Sequence, residues 1–300
     1  DETGIVKTSD NRRINFRVNS EYTPESGLFT VGENLSIVRD SRSTVPEGSD
    51  VRNFLIQTLQ FSPTEPVQDP SLNTTENYTF SQFGNNAFNP VAVLDFNNST
   101  DRSTRMAGNV FGELMPISGL TLKTDFGLDV RYGDNYSFTP TYEVSPEFTN
   151  AINSVSRYTD RRSSLVWTNT VQYNRLLGDS HDVTLLGGAS AEWNAYEFIS
   201  ANRTGLPSND PSLRYLQLGD ESQGATGDLN RSRLLSYFGR VNYNFDSRYL
   251  VTFVGRYDGS TRFGENNRFG FFPSFSVAWR VSEESFMQDV SVISDLKLRG

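Results

Sequence analysis

Apolar residues recur at every second position through much of this chain, which is the period of a strand with one buried face. From Leu235 the odd positions hold Leu235, Tyr237, Gly239, Val241, Tyr243 and Phe245, set against Ser236, Arg240, Asn242 and Asn244. Tyr249, Val251, Phe253, Gly255 and Tyr257 follow, facing away from Arg248, Thr252 and Arg256. Phe269, Phe271, Phe275, Val277, Trp279 and Val281 then alternate with Gly270, Ser274, Ser276 and Arg280. Upstream the pattern returns at Leu120–Tyr132, Leu165–Tyr173, Val183–Trp193 and Ile14–Val18. Phe238, Leu250, Val254 and Phe272 break the rule. The pattern predicts roughly nine strands and the start of a tenth, each near or above the ~9–11 residues a membrane strand needs.

A soluble sandwich alternates too, so the connections carry the decision. The links Glu21–Gly27, Pro116–Gly119, Leu177–His181 and Asp246–Ser247 are short. Those between them, 41–102, 133–162, 202–231 and 259–267, are long. Strict alternation of short and long links is expected of a barrel with short periplasmic turns and long outer loops. Phe245, Tyr249 and Trp279 sit where an interfacial aromatic girdle is expected. The predicted fold class is therefore all-β, part of a large antiparallel transmembrane barrel. An open edge cannot face lipid, so the remaining strands are expected outside this chain. The final residues, Asp295–Gly300, read as the start of a further strand, and the residues from Asp1 lack the charged n-region and apolar core of a signal peptide; both suggest a piece of a longer protein.

The longest link predicts a short helix over Asp50–Gln60, with Val51, Phe54, Leu55 and Leu59 on one side and Pro63 and Pro66 ending it. The stretch Asn73–Ser103 is rich in Asn, Ser and Thr but also carries Tyr78, Phe80, Phe83 and Phe88, which suggests an ordered excursion.

Composition narrows the chemistry. The hydrophobic share is 36%, yet aromatics reach 13%, which argues against disorder and for a thin apolar skin. The net charge of −9 disfavours nucleic acid as a partner. There is no Cys and one histidine, His181, so thiolate metal sites and two-histidine chemistry are excluded. His181 reads as a polar residue at a strand start. Gly255, Gly259, Gly264 and Gly270 lack the strand–loop–helix context of a phosphate loop and read as outward-facing or hairpin glycines. Asp258, Glu265, Glu283 and Glu284 read as solvated loop or turn charges. Ser282–Met287 (SEESFM) reads as a short helical turn closing the periplasmic side. No catalytic residue, metal or cofactor is predicted.

Two groups remain as candidate sites. Arg13, Arg17, Lys123, Asp125, Asp129, Arg131, Arg240, Arg256 and Arg280 fall on the inward phase of their strands. They read as a salt-bridged wall holding an internal domain, or as substrate contacts. Tyr78, Phe80, Tyr136, Phe138 and Tyr142 lie in predicted outer loops, where rings could stack on sugars, contact a lid or pack the loops.

The segment from Leu234, LLSYFGRVNYNFDSRYLVTFVGRYDGSTRFGENNRFGFFPSFSVAWRVSEESF followed by SDLKLRG, resembles the SusC/RagA branch of TonB-dependent outer-membrane transporters of the Bacteroidetes. FLIQTLQFSPTEPV, NPVAVLDF, GNVFGELMPISGLTLKTDFGLDV and NRRINFRVN are similar to its loop and strand sequences, so the resemblance covers nearly the whole chain. It implies a barrel of about 22 strands closed inside by a plug. It also implies an N-terminal box reaching the TonB–ExbB–ExbD complex, a SusD-like surface lipoprotein as lid, and an oligosaccharide or peptide substrate. Outer-membrane lipid would surround the wall. The family supplies no catalytic residues. The expected function is energy-coupled nutrient uptake, with the loop 41–102 as the main lid contact. A passive porin, a secreted carbohydrate-binding sandwich and an outer-membrane enzyme are the alternatives in descending order.

Overall fold

The computed structural model describes residues 1–43, 45, 53–81, 87–287 and 292–300. One antiparallel sheet dominates them. Its strands are β1 (Glu2–Thr3), β2 (Asp10–Tyr22), β3 (Phe29–Ser43), β4 (Asn98–Ile117) and β5 (Leu120–Thr139), then β8 (Ser154–Leu177), β9 (His181–Thr204), β10 (Gln223–Phe245), β11 (Tyr249–Ser260), β12 (Phe269–Arg280) and β13 (Lys297–Arg299). β6 (Tyr142–Glu143) and β7 (Thr149–Asn150) form a separate small hairpin. Within the sheet every strand pairs only with its sequence neighbours, and β1 and β13 are the two edges, so the sheet does not close on itself. No helix among the described residues is long and apolar enough to cross a membrane.

The tight links follow from local backbone chemistry. At the β4–β5 turn Gly119 has φ +82°, and an added Cβ would lie 2.1 Å from the Asn174 carbonyl oxygen, so only glycine fits. At the β10–β11 turn Asp246 and Ser247 both take positive φ, 52° and 58°. This is the two-residue hairpin geometry whose twist matches the flanking strands.

The strands outrun the prediction at the opposite end. β5 continues to Thr139 and β8 begins at Ser154, so 133–162 is not all loop; the connection is 140–153. The links expected at 202–231 and 41–102 likewise shrink to 205–222 and 44–97. β8 and β9 have 24 residues each, about 80 Å of strand. The reason is physical. The backbone ladder needs no apolar side chains, whereas alternation is written only where one face meets an apolar medium.

The long links carry the helices. α1 (Phe54–Gln60) starts at Asn53, whose side chain accepts from the backbone N–H groups of Leu55 and Ile56. The predicted start of this helix at Asp50–Val51, and Phe83, lie outside the described residues. Among its described residues the predicted apolar side is partly buried only at Phe54, which packs against a cluster of Tyr78, Phe88 and Phe148; Leu55 and Leu59 are 53% and 87% exposed, and Gln57 is buried instead. α2 (Pro90–Asp95) is capped by Asn89, with Ala92, Val93 and Leu94 buried. Two small cores form at this end. The first joins Tyr78, Phe88, Ala92 and Val93 to Tyr142, Val144 and Phe148 of the β6–β7 hairpin. The second joins Phe138 and Val155 to Leu206.

Candidate functional site

Residues directly opposed in an antiparallel ladder share a face. The register runs Val18–Leu35–Gly108–Leu128–Leu165–Trp193 and Tyr22–Val31–Gly112–Thr124–Asn169–Ala189–Tyr237–Tyr257–Phe271. The apolar phases of separate strands thus merge into one apolar face, and the intervening positions make one polar face. All of Arg13, Arg17, Lys123, Asp125, Asp129, Arg131, Arg240, Arg256 and Arg280 lie on the polar face. So do Phe238, Leu250, Val254 and Phe272, which broke the alternation. Phe238 covers Gly188, where an added Cβ would lie 2.5 Å from the ring, and Phe111 covers Gly32 in the same way.

Charges on the polar face meet across and along strands. Lys123 Nζ lies 2.7 Å from Glu113 and Arg131 lies 3.0 Å from Asp160 across the ladder, and within β11 the Arg256 Nε lies 2.7 Å from Asp258. Arg105 donates to both carboxylate oxygens of Asp129, Asn109 donates to Asp125, and Arg13 and Arg280 lie near Asp40 and Asp295. A wet face of matched charges is stable without being apolar, since each exposed pair contributes only about 0–1 kcal/mol.

Toward the long-connection end this face carries an aromatic shelf that sequence reasoning missed. The Tyr158 and Tyr196 hydroxyls are 2.6 Å apart, Phe198 packs against both rings, and the Arg162 guanidinium lies 4.9 Å over the Tyr196 ring. Asp160 is nearly buried between Arg131 and Arg162. Beside the shelf is a recess of about 580 Å³ lined by Arg105, Arg131, Arg162, Asn194, Tyr196 and Asn230. A clue was present in the sequence: the aromatics of β9 switch phase, from odd Trp193 to even Tyr196 and Phe198. The recess offers a ring face, amides, hydroxyls and guanidiniums; Arg105 pairs with Asp129, Arg131 and Arg162 share Asp160, and Arg262 has no ion pair among the described residues. That chemistry suits a polar, hydrogen-bonding ligand.

The predicted loop aromatics are mostly committed to packing. Tyr78, Phe138 and Tyr142 are buried, and Phe80 packs against the first core. Phe96 stacks on Tyr142 with ring centroids 4.4 Å apart, and Phe88 stacks on Phe148 at 4.3 Å. The Tyr78 hydroxyl donates to Asp95, and burial together with that carboxylate pushes the phenol well above its usual range. Tyr136 is partly buried, with Arg157 4.9 Å over its ring. In this arrangement the buried rings offer no stacking face.

At the short-turn end, 281–287 forms two 3₁₀ turns, as SEESFM suggested, although Ser282 caps neither. Glu284 is no free solvated charge. It accepts from the Tyr249 hydroxyl at 2.7 Å and the Trp279 indole N–H at 3.1 Å, and Arg248 lies 3.6 Å away. These donors hold its carboxyl below the usual range. His181 opens β9 and its Nδ1 is 2.7 Å from the Tyr243 hydroxyl. Gly270 corrects its expected outward placement: it pairs with Asp258 on the polar face, beside Phe272. Among the described residues no group of three His, Cys, Asp or Glu side chains could hold a metal ion.

A two-faced antiparallel sheet with tight turns at one end and packed loops at the other is a section of the wall of a large β-barrel. The chain belongs to the TonB dependent receptor-like β-barrel family, whose model matches residues 9–300. It is 29% identical over its full length to the TonB-dependent receptor SusC of Bacteroides thetaiotaomicron, and 31% identical to a TonB-dependent receptor of Formosa agariphila. In both cases it spans 30% of the relative's own length. Among solved structures, the RagAB peptide importer in its open-open state superimposes over 97% of this chain and 32% of its own, with TM-score 0.82 and 23% identity, a likeness of fold.

Proposed function

We propose that this chain forms part of the barrel wall and outer loops of an importer that takes up an oligosaccharide or peptide across the bacterial outer membrane. The apolar face meets lipid and the polar face lines the lumen. The observation that carries the reading is the shelf and recess around Tyr158, Tyr196 and Arg162, a polar site with a ring face on the inward side of the wall. A sugar or a peptide backbone presents the matching donors, acceptors and apolar edges. Similarity to SusC and to the RagAB peptide importer supports the substrate class. It also supports energy coupling through TonB–ExbB–ExbD and a SusD-like lipoprotein as lid. The lid would seat on the 44–97 connection, where Leu55, Ile56 and Leu59 of α1 are exposed. Arg17 and Arg240, which have no carboxylate partner among the described residues, remain available to substrate or to an internal plug.

The test uses the full-length parent in an outer-membrane host. The expected result is outer-membrane partitioning and a mobility shift between unheated and boiled samples. Uptake of a labelled oligosaccharide or peptide should then fall at least tenfold in Tyr196→Ala, with membrane levels unchanged. A soluble parent with no heat-dependent shift would sink the reading. Undiminished uptake in the variant would remove the recess from the substrate path.

A further inference from the structure

The cations of the apolar face are arranged differently from those of the polar face. Following the same register upward past the apolar band, arginines take the outward phase on five strands: Arg12 on β2, Arg39 on β3, Arg102 on β4, Arg161 on β8, and Arg231 and Arg233 on β10. All are exposed. Arg12 lies 3.5 Å from Asp1; the other five form no ion pair among the described residues, although Arg102 and Arg161 stand opposite Asp134 and Glu197 in the ladder. They begin close above the band. Arg12, Arg39 and Arg233 lie two residues beyond Ile14, Ile37 and Leu235; Arg102 and Arg161 lie four beyond Met106 and Leu165. That is about 7–13 Å along a strand, less when tilted, which is the depth of the lipid head groups.

Between Arg39, Arg102 and Arg161 the face is hollowed into a groove of about 600 Å³, walled by Tyr132. The Arg161 guanidinium lies 5.4 Å over the Tyr132 ring. Asp134 and Glu197 also line the groove, but Asp134 is taken by Arg157 at 3.4 Å. A row of like charges repels itself unless counter-charge arrives. On the outward phase of these upper strands Asp10, Asp134 and Glu197 are outnumbered by the arginines. The excess positive charge calls for counter-charge from outside the chain.

We propose that this arginine rim binds the phosphates of an outer-leaflet glycolipid whose acyl chains lie against the apolar face below. The planar fork of Arg donates paired N–H bonds to phosphate oxygens, and the groove gives a head group a place to sit. The proposal rests on the membrane reading above.

The experiment reconstitutes the full-length parent in phosphatidylcholine nanodiscs containing either bisphosphorylated lipid A or its dephosphorylated form, with retained lipid read by native mass spectrometry. Wild type should retain the phosphorylated lipid at least tenfold better. The variant Arg39→Gln/Arg102→Gln/Arg161→Gln should lose roughly 10–100-fold, from the usual strength of a basic residue at a charged membrane surface. Arg240→Gln on the polar face should lose nothing. If the triple variant does not reach the membrane, Arg39→Gln and Arg102→Gln singly carry the test, each expected to cost several-fold. Equal retention of the two lipids, or full retention by the variants, overturns the proposal. Displacement of the lipid by inorganic phosphate would also overturn it, assigning the rim to a soluble anion. A parent that forms no heat-modifiable barrel fails the membrane reading instead, and is recognised before any lipid is added.

Discussion

The sheet and the loops of this chain bury their apolar residues by opposite means. Apart from Val281, every fully buried apolar residue among those described lies at the long-connection end, in 44–97, 140–153, 205–222 and the strand ends beside them. The sheet below has no such core. Phe126, Trp167, Val241 and Phe275 are all 41% or more exposed, although they sit mid-strand. Apolar side chains in the wall wait for an external medium, whereas those in the loops find each other. One chain thus contains a surface fitted to lipid and a small aqueous protein riding on it, and each region should fail in its own way.

The largest effect should come from the loop core. Phe148 touches Phe88, Phe96 and Tyr142, so Phe148→Ala should cost that body about 3–5 kcal/mol. Protease should then cut the 44–97 and 140–153 connections while the heat-dependent mobility of the barrel persists. Loss of both together would mean that the two regions are one folding unit. Next, Val110→Arg places a charge in the apolar face and should cost about 2–4 kcal/mol, seen as poor assembly into bilayers with the loop core unaffected. A smaller effect should follow Asn153→Ala. Its side chain accepts from Leu206 N–H and donates to the carbonyls of Leu206 and Ser208, so about 1–3 kcal/mol of loop docking is lost, measurable by hydrogen exchange in 205–222.

The smallest effect concerns the opposite end. Because the Glu284 carboxyl is held below its usual range, the turn gains stability above the ordinary glutamate pKa of about 4.3, and loses it as pH falls through the lower folded value. Hydrogen exchange in 281–287 should therefore rise on acidification in wild type. In Glu284→Gln it should be raised already at neutral pH and change little.

How much of this was legible follows from the same division. The register of the wall was written in the alternation of Leu235–Phe245 and its neighbours, because one face must be apolar over the thickness of a bilayer. The upper halves of β5, β8 and β9 were not, since both of their faces meet polar surroundings and the contrast vanishes. Tyr158, Tyr196 and Phe198 were hidden in that silent zone. Phe138 and Tyr142 were visible as aromatics, but nothing local distinguishes a ring packed under a loop from one held out to a sugar. The face of α1 was legible only in part for a related reason: Phe54 packs inward as its side of the helix suggests, but Leu55 and Leu59 on that side stay exposed, and Gln57 is what the neighbouring loop binds, its amide oxygen accepting from Phe88 N–H.

The β6–β7 hairpin inserts Tyr142, Val144 and Phe148 into a core whose other half comes from the preceding long connection. The two segments are separated in sequence by the whole of β4 and β5, yet neither has a complete interior alone. They are consequently a single unit of inheritance. A chimera that transplants 44–97 from a relative with different specificity should carry 140–153 with it, and natural variation in one should be matched by compensating change in the other.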